Sequence, residues 1–548
     1  MIMAINNSKL LTMKKIIINT GLIIGLFTAL ILNACKEEID PIVEELEFDR
    51  AFTPTGLTSQ ISNITTVNLL WNAAKDIDHY VVEIYQGTDF APASLIHTGD
   101  VPGGTTTYSY VLPAGDTQFA ARVQAISALS GVAESKWITT EFRSGPENLF
   151  TGYESEMTGI GSCTVRWLPG SVATDLLFVS GSTQIPYALS AAEITAGEKM
   201  LTGVPNGNYE IRLMNTTFVR GKTNLLLEGD VLLPDGGDLT AALDALTTGQ
   251  VLILTNGAKY GLTEVDTVTA SIKIRGLYPD NLPTIYLITG GGNHMFDIGT
   301  GMTLSDSLVF ENVDISCYYD DAGTTRHRGV IDQELNAFSI GAIKFINCII
   351  RNSGRSAIRL RGNAAGQVIN NVEFNNCIMY DFAFDSHYGV LNGAATGNFI
   401  NIKFINTTVY NIRGGIINYG SGAGVLSVVV DNCTFDRTSM DAASGRYFID
   451  FGTGSNPSTG TLTISDCIFG QTSAVANGIR PGTMVPAYAG SYYTSDFNDG
   501  TAFPIKASLT AYTGASTALW TDPLNGIFTF LDANFAGKET AGAPRWKP

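Results

Sequence analysis

The most regular pattern along the chain is a short run of alternating apolar and polar positions that stops at an asparagine or aspartate and then resumes. A clear copy starts at Ile343, and copies recur at intervals of 26–35 residues. A motif of β-branched and aromatic residues at such intervals, separated by inserts of variable length, is typical of a solenoid. Each copy predicts two short strands joined by a bend, and therefore a right-handed parallel β-helix. The copies occupy residues 308–315, 343–350, 372–379, 402–409, 428–435 and 462–469.

The polar residue within each copy is expected at the bend between the two strands. Asparagine tolerates the left-handed backbone conformation, and its amide can bond to the equivalent amide of the next coil. We therefore expect a buried ladder in which each side chain is satisfied by its neighbours. The ladder positions are Asn312, Asn347, Asn376, Asn406, Asn432 and Asp466.

A column of cysteines follows the ladder by one residue, with Val313 and Thr407 at this position in the remaining copies. Parallel strands lie about 4.8 Å apart, so these thiols are expected to stack inside the β-helix as small hydrophobic side chains. Disulfides are the weaker alternative because side chains in register run side by side. A zinc site would need closely spaced cysteine pairs, which the sequence lacks. The cysteines are Cys348, Cys377, Cys433 and Cys467.

The β-helix is predicted to span residues 230–548 and to begin with a cap. Residues 239–246 have the apolar spacing of a short amphipathic helix with Asp238 as its N-cap, and residues 250–254 are expected to form the first strand. A cap is needed because an unpaired first coil would recruit other strands.

Two β-sandwiches are predicted upstream, over residues 51–145 and 146–229. Each has a tryptophan strand, around Trp71 and Trp167, and the first resembles a fibronectin type III domain over its whole length. The second carries the corner tyrosine of that family, Tyr209, whereas Phe119 replaces it in the first, which should therefore lack the corner hydrogen bond. Such modules are expected to act as spacers, with sugar binding as the alternative.

The N-terminus resembles a lipoprotein signal. Lys14 and Lys15 precede an apolar run that ends in a small residue and Cys35, which predicts a signal peptide over 1–34, acylation of Cys35 and an acidic linker over 35–50. The residues after Cys35, Lys-Glu-Glu, resemble the signal that sends lipoproteins of Bacteroidetes to the outer face of the outer membrane. A periplasm-facing lipoprotein is the alternative, and either Met1 or Met13 is the start.

Charge and composition narrow the classes of partner. The formal net charge of −18 argues against nucleic acid, which requires a basic face. Only 15% of residues are charged and 58 are glycine, which suits a β-rich secreted protein with many turns. An acidic ligand stays possible because a local arginine patch can override the total charge.

The capping helix, the asparagine ladder and the ending at residues 528–530 and 541–546 resemble uncharacterised β-helix lipoproteins of Bacteroidetes polysaccharide-utilisation systems. Those proteins are distantly similar to the alginate and chondroitin lyases of polysaccharide lyase family six. The resemblance covers residues 230–548 and implies handling of an extracellular glycan, with an outer-membrane glycan transporter as an associated partner. It establishes no reaction.

Candidate ligand-binding residues lie on a strand face beside the ladder. In residues 356–362 the alternation points Ile358 and Leu360 inward and Arg359 and Arg361 outward. Arginine can grip a uronate carboxylate with two parallel bonds, and a tyrosine ring can cover a pyranose. A solvated strand face with ordinary charges is the alternative. The candidates are Arg328, Arg355, Arg359, Arg361, His387, Tyr388, Asn392 and Tyr419.

These observations favour a cell-surface protein that binds an acidic, uronate-containing polysaccharide without a cofactor. The alternative from another class is a polysaccharide lyase, which needs a base and a neutraliser for the enolate and could use calcium. The dense acidic groups are Asp320 with Asp321, and Asp332 with Glu334. A glycosidase using Asp332 and Asp450 stays formally open, and a structural stalk is the third possibility.

Overall fold

A computed structural model describes residues 48–277, 281–289, 292–318, 325–333, 337–361, 366–384, 388–393, 397–419, 424–453 and 460–548. The chain divides after Glu147 into two compact units. The predicted signal peptide and Cys35 lie outside the described residues. Among the helices that the structure does describe, none is long and apolar enough to cross a bilayer.

The first unit is an antiparallel β-sandwich. Its strands form one sheet of order β1-β2-β5 and another of order β4-β3-β6-β7, the arrangement of a fibronectin type III domain. Trp71 and Phe119 are buried between the sheets. The strands are β1 (Thr55–Ser62), β2 (Thr66–Asn72), β3 (Ile77–Gln86), β4 (Leu95–Pro102), β5 (Thr107–Val111), β6 (Gln118–Ser127) and β7 (Ile138–Arg143), with a 3₁₀ turn at Pro92–Ser94.

The second sandwich opens the second unit and repeats the same strand order, β8-β9-β12 and β11-β10-β13-β14. Trp167 fills its core, and the hydroxyl of Tyr209 donates to the carbonyl of Pro205 at 2.9 Å, which confirms the predicted tyrosine corner. Its elements are β8 (Glu156–Gly159), β9 (Ser162–Arg166), β10 (Asp175–Ser180), β11 (Thr183–Ala188), α1 (Ala191–Ala196), β12 (Glu198–Thr202), β13 (Gly207–Asn215) and β14 (Phe218–Leu227).

The rest of the second unit is a parallel β-helix whose coils contribute strands to three sheets, here called I, II and III. Sheet I comprises β15 (Val231–Leu233), β16 (Gln250–Leu254), β19 (Ile272–Gly276), β22 (Ser307–Glu311), β25 (Phe338–Ile346), β28 (Gln367–Asn375), β31 (Gly397–Ile405), β34 (Ser427–Asp431), β37 (Thr461–Ser465) and β40 (Pro486–Ala489). Sheet II comprises β17 (Lys259–Leu262), β20 (Thr284–Leu287), β23 (Asp314–Ser316), β26 (Ile349–Ser353), β29 (Ile378–Phe382), β32 (Thr408–Ile412), β35 (Thr434–Asp436), β38 (Ile468–Phe469), β41 (Tyr492–Tyr493) and β42 (Thr510–Ala511). Sheet III comprises β18 (Asp266–Val268), β21 (His294–Ile298), β24 (Gly329–Gln333), β27 (Ser356–Leu360), β30 (Leu391–Gly393), β33 (Ile417–Asn418), β36 (Tyr447–Asp450) and β39 (Asn477–Arg480).

The predicted cap is present as helix α2 (Leu239–Asp244), and the Asp238 side chain accepts a bond from the Ala241 N–H at 3.0 Å. The expectation that residues 250–254 form the first strand is wrong, because β15 precedes the cap and pairs in parallel with β16. The β-helix therefore starts directly after the second sandwich.

The interior contains columns of identical residues, and the predicted cysteine column is one of them. Phe310, Phe345, Phe374 and Phe404 stack with centroid separations of 5.0–5.1 Å. The cysteines of the repeats are buried and free, and each thiol contacts a carbonyl of the preceding coil, as Cys377 does with Phe345 at 3.2 Å. The Thr407 hydroxyl donates to Phe374 at 3.2 Å in the same way. Threonine can therefore replace cysteine because both are small donors.

The bend between sheets I and II carries the asparagine ladder in the predicted left-handed conformation, with φ between 50° and 55° at every ladder position. Asn347 donates to Asn312 at 3.1 Å, and Asn376 donates to Asn347 at 2.7 Å. The expectation of a fully buried, continuous ladder is wrong. Among the ladder residues only Asn312 is buried, and Asn432 donates to its neighbour Asp431 at 3.0 Å instead.

The C-terminal residues cover part of this bend. A small core built around Trp520 and Phe528 packs beside Tyr410 of sheet II. Residues 541–547, here called the C-terminal strap, then run back across successive coils. The strap bonds are Gly542 N to Asp466 O at 2.8 Å, Ala543 N to Thr434 Oγ1 at 2.9 Å, Trp546 Nε1 to Thr408 Oγ1 at 2.7 Å and Arg545 Nη2 to Asn376 Oδ1 at 2.8 Å. The remaining elements are α3 (Ser516–Leu519), β43 (Trp520–Asp522), β44 (Ile527–Phe530) and 3₁₀ turns at Lys506–Ser508, Pro523–Asn525 and Pro544–Trp546.

Candidate functional site

The outward side of sheet III carries a column of polar side chains in register, here called the outer column. The alternation of each strand turns isoleucine or leucine toward the interior and the following residue toward the outer surface, as for Ile358 and Arg359. Neighbouring members are direct partners across the parallel strands. The outer column consists of Asp332, Arg359, Asn392, Asn418, Asp450 and Arg480.

Three guanidinium groups surround the carboxylate of Asp332, which is only 1% exposed. Their nitrogens lie 3.8 Å (Arg355), 3.6 Å (Arg359) and 3.8 Å (Arg361) from its oxygens. Neither oxygen has a hydrogen-bond partner among the described residues. Asp332 therefore lies at the centre of a group formed by Arg355, Arg359 and Arg361, which does not include the side chain of Arg328.

Arg359 is held in place from the neighbouring coil. Its Nε donates to the Asn392 side chain at 3.1 Å, its Nη2 donates to the Tyr388 hydroxyl at 3.1 Å, and its Cζ lies 4.2 Å from the centre of the Tyr388 ring. The third nitrogen, Nη1, is buried without a hydrogen-bond partner among the described residues. These contacts fix the side chain before any ligand arrives.

The far end of the outer column contains a second charged group. Arg480 donates to both oxygens of Asp450 at 2.7 and 2.6 Å and lies 4.4 Å from the centre of the Tyr447 ring, and Asp450 raises the pKa of Arg480 above its ordinary value. A cavity of about 200 Å³ lies here, lined by Gly415, Asn418, Gly445, Arg446, Tyr447, Asp450 and Arg480. Because Arg480 and Asp450 neutralise each other, the cavity suits hydroxyl groups better than a bare carboxylate.

The prediction that Tyr419 belongs to the outer surface is wrong. The residue is fully buried, its hydroxyl donates to Asn398 at 3.1 Å, and burial raises its pKa. Since Ile417 points inward and Asn418 outward, the next residue must turn inward again. Gly393 makes room for the ring, because a Cβ there would lie 2.1 Å from it.

The other predicted residues fall into different positions. His387 lies outside the described residues. Arg328 is half-buried, its carbonyl accepts from the Arg355 N–H at 3.0 Å, and its side chain forms no ion pair within the described residues. His327 is buried, with Nε2 3.0 Å from the carbonyl of Leu287, and burial lowers its pKa.

The list of predicted site residues lacks the arginines that come from later coils. Arg413 and Arg446 both contact the buried carboxylate of Asp441, at 3.6 and 3.1 Å. Arg480 ends β39, where the alternation of Asn477–Arg480 with its inward Ile479 could have identified it. No sequence signal brings Asp441 to Arg413, because the contact depends on the stacking of two coils.

The glycosidase alternative does not fit the register. Asp332 and Asp450 are separated by four strand spacings of the outer column, or roughly 19 Å at 4.8 Å per strand. Paired catalytic carboxylates need about 5–9.5 Å. In the parts of the chain that the structure describes, no group of three or more His, Cys, Asp or Glu side chains could hold a metal ion. Asp320, Asp321 and Glu334 lie outside those parts.

One family model matches the C-terminal part of the chain, and the role of that family is unknown. A family model described as "Domain of unknown function (DUF5123)" matches residues 428–546, which include the later coils and most of the C-terminal strap. No curated protein matches the chain.

Among solved structures, a two-domain fibronectin type III segment of chicken tenascin is 18% identical, covering 32% of this chain and 98% of its own, with a TM-score of 0.20. A computationally redesigned β-sandwich protein is 19% identical, covering 17% of this chain and 94% of its own, with a TM-score of 0.15. The fold assignment rests on the strand orders given above: the chain carries two fibronectin type III-like β-sandwiches followed by a parallel β-helix.

Proposed function

We propose that the outer surface of sheet III binds an acidic, uronate-containing polysaccharide and that the protein serves as a cell-surface glycan-binding lipoprotein. The observation that carries the proposal is the group of three arginines around one buried carboxylate, next to a tyrosine. Three guanidinium groups against one carboxylate leave an excess of positive charge at this position. That excess favours an anionic sugar even though the chain has a net charge of −18.

The geometry supports a grip on carboxylates. The ion pairs of Asp332 are longer than hydrogen bonds, so the carboxylate brings the three guanidinium groups together without a close bond to any of them. Arginine forks pair with carboxylates through two parallel bonds. The half-buried ring of Tyr388 offers an apolar surface for a pyranose beside them.

The test is titration of residues 36–548 with alginate, and with a neutral glucan for comparison. Simple removal of the arginines is a poor probe, because it would leave Asp332 buried beside too little positive charge. Arg359→Lys with Arg361→Lys keeps both charges but loses the planar fork. We expect the variant to bind alginate at least about 10-fold more weakly while its circular dichroism spectrum stays that of the parent. We also expect salt to weaken binding by the parent, because exposed charges are screened.

A matched control is Arg212→Lys, which alters an ion pair with Glu210 in the second sandwich and should leave alginate binding unchanged. Alginate affinity that is indifferent to both salt and the sheet III substitutions would refute the proposal.

The competing function is a polysaccharide lyase acting by β-elimination. One observation favours it: the Tyr388 hydroxyl accepts a bond from Arg359, and a hydroxyl beside a guanidinium is an arrangement that a base and an enolate neutraliser require. Growth of absorbance from an unsaturated uronate during the alginate titration, lost in Tyr388→Phe, would replace the binding proposal with this one. Adding calcium or a chelator to the same assay tests whether such an activity needs the ion.

The cellular setting is part of the same proposal. Cys35→Ser should abolish acylation and release the protein from membranes, so retention of the variant in the membrane fraction would contradict a lipid anchor at this residue. Deletion of residues 36–38 should reduce cleavage by protease added to intact cells. Co-purification of an outer-membrane transporter would extend the proposal to a transport complex.

A further inference from the structure

A second cleft, on a different part of the second unit, lies between the second sandwich and the bend that carries the asparagine ladder. It consists of two adjoining cavities of about 620 and 540 Å³, which share Asn281 and Asn347 in their linings. One wall comes from β8 and β14 of the sandwich, and the other comes from the first coils of the β-helix. The C-terminal strap closes the far end, where Arg545 lines the second cavity and bonds to Asn376.

The two walls are fixed to each other. Ile253 of β16 is fully buried within the core of the second sandwich rather than in the β-helix. Lys273 forms an ion pair with Glu311 at 2.6 Å and another with Glu228 at the end of the sandwich. The cleft is therefore a preformed feature of one compact unit and needs no closing motion to exist.

Two of the carboxylates that line the cleft are paired with arginines that lie outside its lining. Glu156 bonds to Arg166 at 2.8 Å, and Asp314 receives two bonds from Arg351 at 2.9 and 2.8 Å. These pairs remove the bare charges that an ionic ligand would seek.

Arg275 in this lining lies near carboxylates without forming hydrogen bonds to them. It is 8% exposed, and its Nε and Nη1 make no hydrogen bond among the described residues, although they lie 3.2 Å from Glu311 and 3.7 Å from Glu228. Because both nitrogens face carboxylates, Arg275 brings no unpaired positive charge to the lining.

Amide side chains dominate what is left of the polar lining. An amide presents donors and an acceptor in one plane, which matches neighbouring hydroxyl groups of a sugar, and it attracts no particular charge. Carboxylates also outnumber arginines in the lining, so a polyanion is disfavoured here, unlike on sheet III. The lining asparagines are Asn224, Asn256, Asn281, Asn312, Asn347 and Asn376.

We infer that this cleft is a second glycan site and that it takes a neutral oligosaccharide. The protein would then hold two kinds of sugar: uronates through the arginines of sheet III and uncharged chains through the amides of the cleft. The cleft does not depend on the arginine site, since the two share no described residue.

The test uses cellohexaose, xylohexaose, mannohexaose and maltohexaose titrated calorimetrically into residues 36–548. Asn224→Trp and Glu154→Trp each place a large ring in the cleft from a different exposed position of the sandwich wall. Lys222→Trp is the matched control, because it lies on the same strand as Asn224 but does not line the cleft.

We expect at least one neutral hexaose to bind, each cleft variant to weaken it at least about 10-fold, and Lys222→Trp to leave it unchanged. Alginate binding should be the same in all four proteins, and Arg359→Lys with Arg361→Lys should not alter hexaose affinity. The inference is overturned if no hexaose binds, or if hexaose binding survives both cleft variants. Failure of the sheet III proposal would be seen separately: the parent and the Arg359→Lys, Arg361→Lys variant would bind alginate with the same affinity.

Discussion

The inward and outward columns of the β-helix share the same backbone register but follow opposite rules of composition. The inward column repeats one residue type, as in the stacked rings from Phe310 to Phe404. The outer column of sheet III changes from Asp332 through Arg359 and Asn392 to Arg480. Repetition inside serves packing at crystal-like density. Variation outside, on an equally regular frame, marks the surface on which ligand chemistry can be built.

Removing one member of each column tests whether only the inward column contributes to packing. Phe374→Ala deletes a fully buried ring between two stacked neighbours and should lower the free energy of unfolding by about 3–5 kcal/mol. Asn418→Ala, at a half-buried position of the outer column, should change it by about 0.5 kcal/mol or less. Urea denaturation followed by circular dichroism measures both. Equal losses would mean that the outer column is part of the packing.

Asp436 lies at an outward position of its strand that other parts of the chain bury. It pairs in register with Tyr410 on sheet II but is only 1% exposed, and burial raises its pKa to about 7. The unfolded carboxyl has a pKa of about 3.9, so the stability that the neutral group contributes is present below about pH 4 and is lost as pH rises to about 7.

Asp436→Asn removes this titration. Relative to the parent, the variant should therefore gain stability steadily between about pH 4 and 7, by up to a few kcal/mol. Melting temperatures measured across this range provide the check, and Asp175→Asn, at a half-buried position of the second sandwich, is the control. A difference between parent and variant that does not change with pH would rule out a buried titrating carboxyl at this position.

The smallest expected difference in melting temperature is between two variants of the ladder residue Asn376. It separates the contribution of the side-chain amide from that of the left-handed backbone conformation. Asn376→Leu removes the bonds to half-buried Asn347 and exposed Arg545, at about 0.5–1.5 kcal/mol for each bond, and places a branched side chain at φ 54°. Asn376→Gly loses the same amide, but glycine adopts this backbone conformation without strain. Thermal melting should therefore rank parent, glycine variant and leucine variant in that order. Equal melting of the two variants would show that the backbone conformation contributes nothing.

The interior and the modules were predictable from the sequence because each follows from a local pattern. Alternation around the ladder placed Cys377 and Phe374 inside, and the tryptophan and corner signals placed both sandwiches. The alternation of Ile417 and Asn418 places Tyr419 inward as well, so the prediction that put it on the outer surface departed from the rule that located the other residues. The exposure of the ladder depends on the C-terminal strap, whose Arg545 contacts Asn376 across 169 residues of sequence.

Part of the candidate site was likewise predictable from a local pattern, and part was not. Arg355, Arg359 and Arg361 lie in or beside one strand, so their proximity follows from spacing alone. Their common partner Asp332 is in the neighbouring coil, and its burial is visible only in three dimensions. The cleft beside the ladder requires two modules to meet, and no pattern within either module predicts it.

The C-terminal strap has a consequence for how the protein is made. Synthesis proceeds from the N-terminus, so the coils around Asn376 are complete long before residue 545 is available to bond to them. Until then one side of sheet II and the ladder amides beside it stay uncovered. A chain broken off before residue 541 would keep its coils but leave this seam open to proteases, so the strap seals a molecule that is otherwise built one coil at a time.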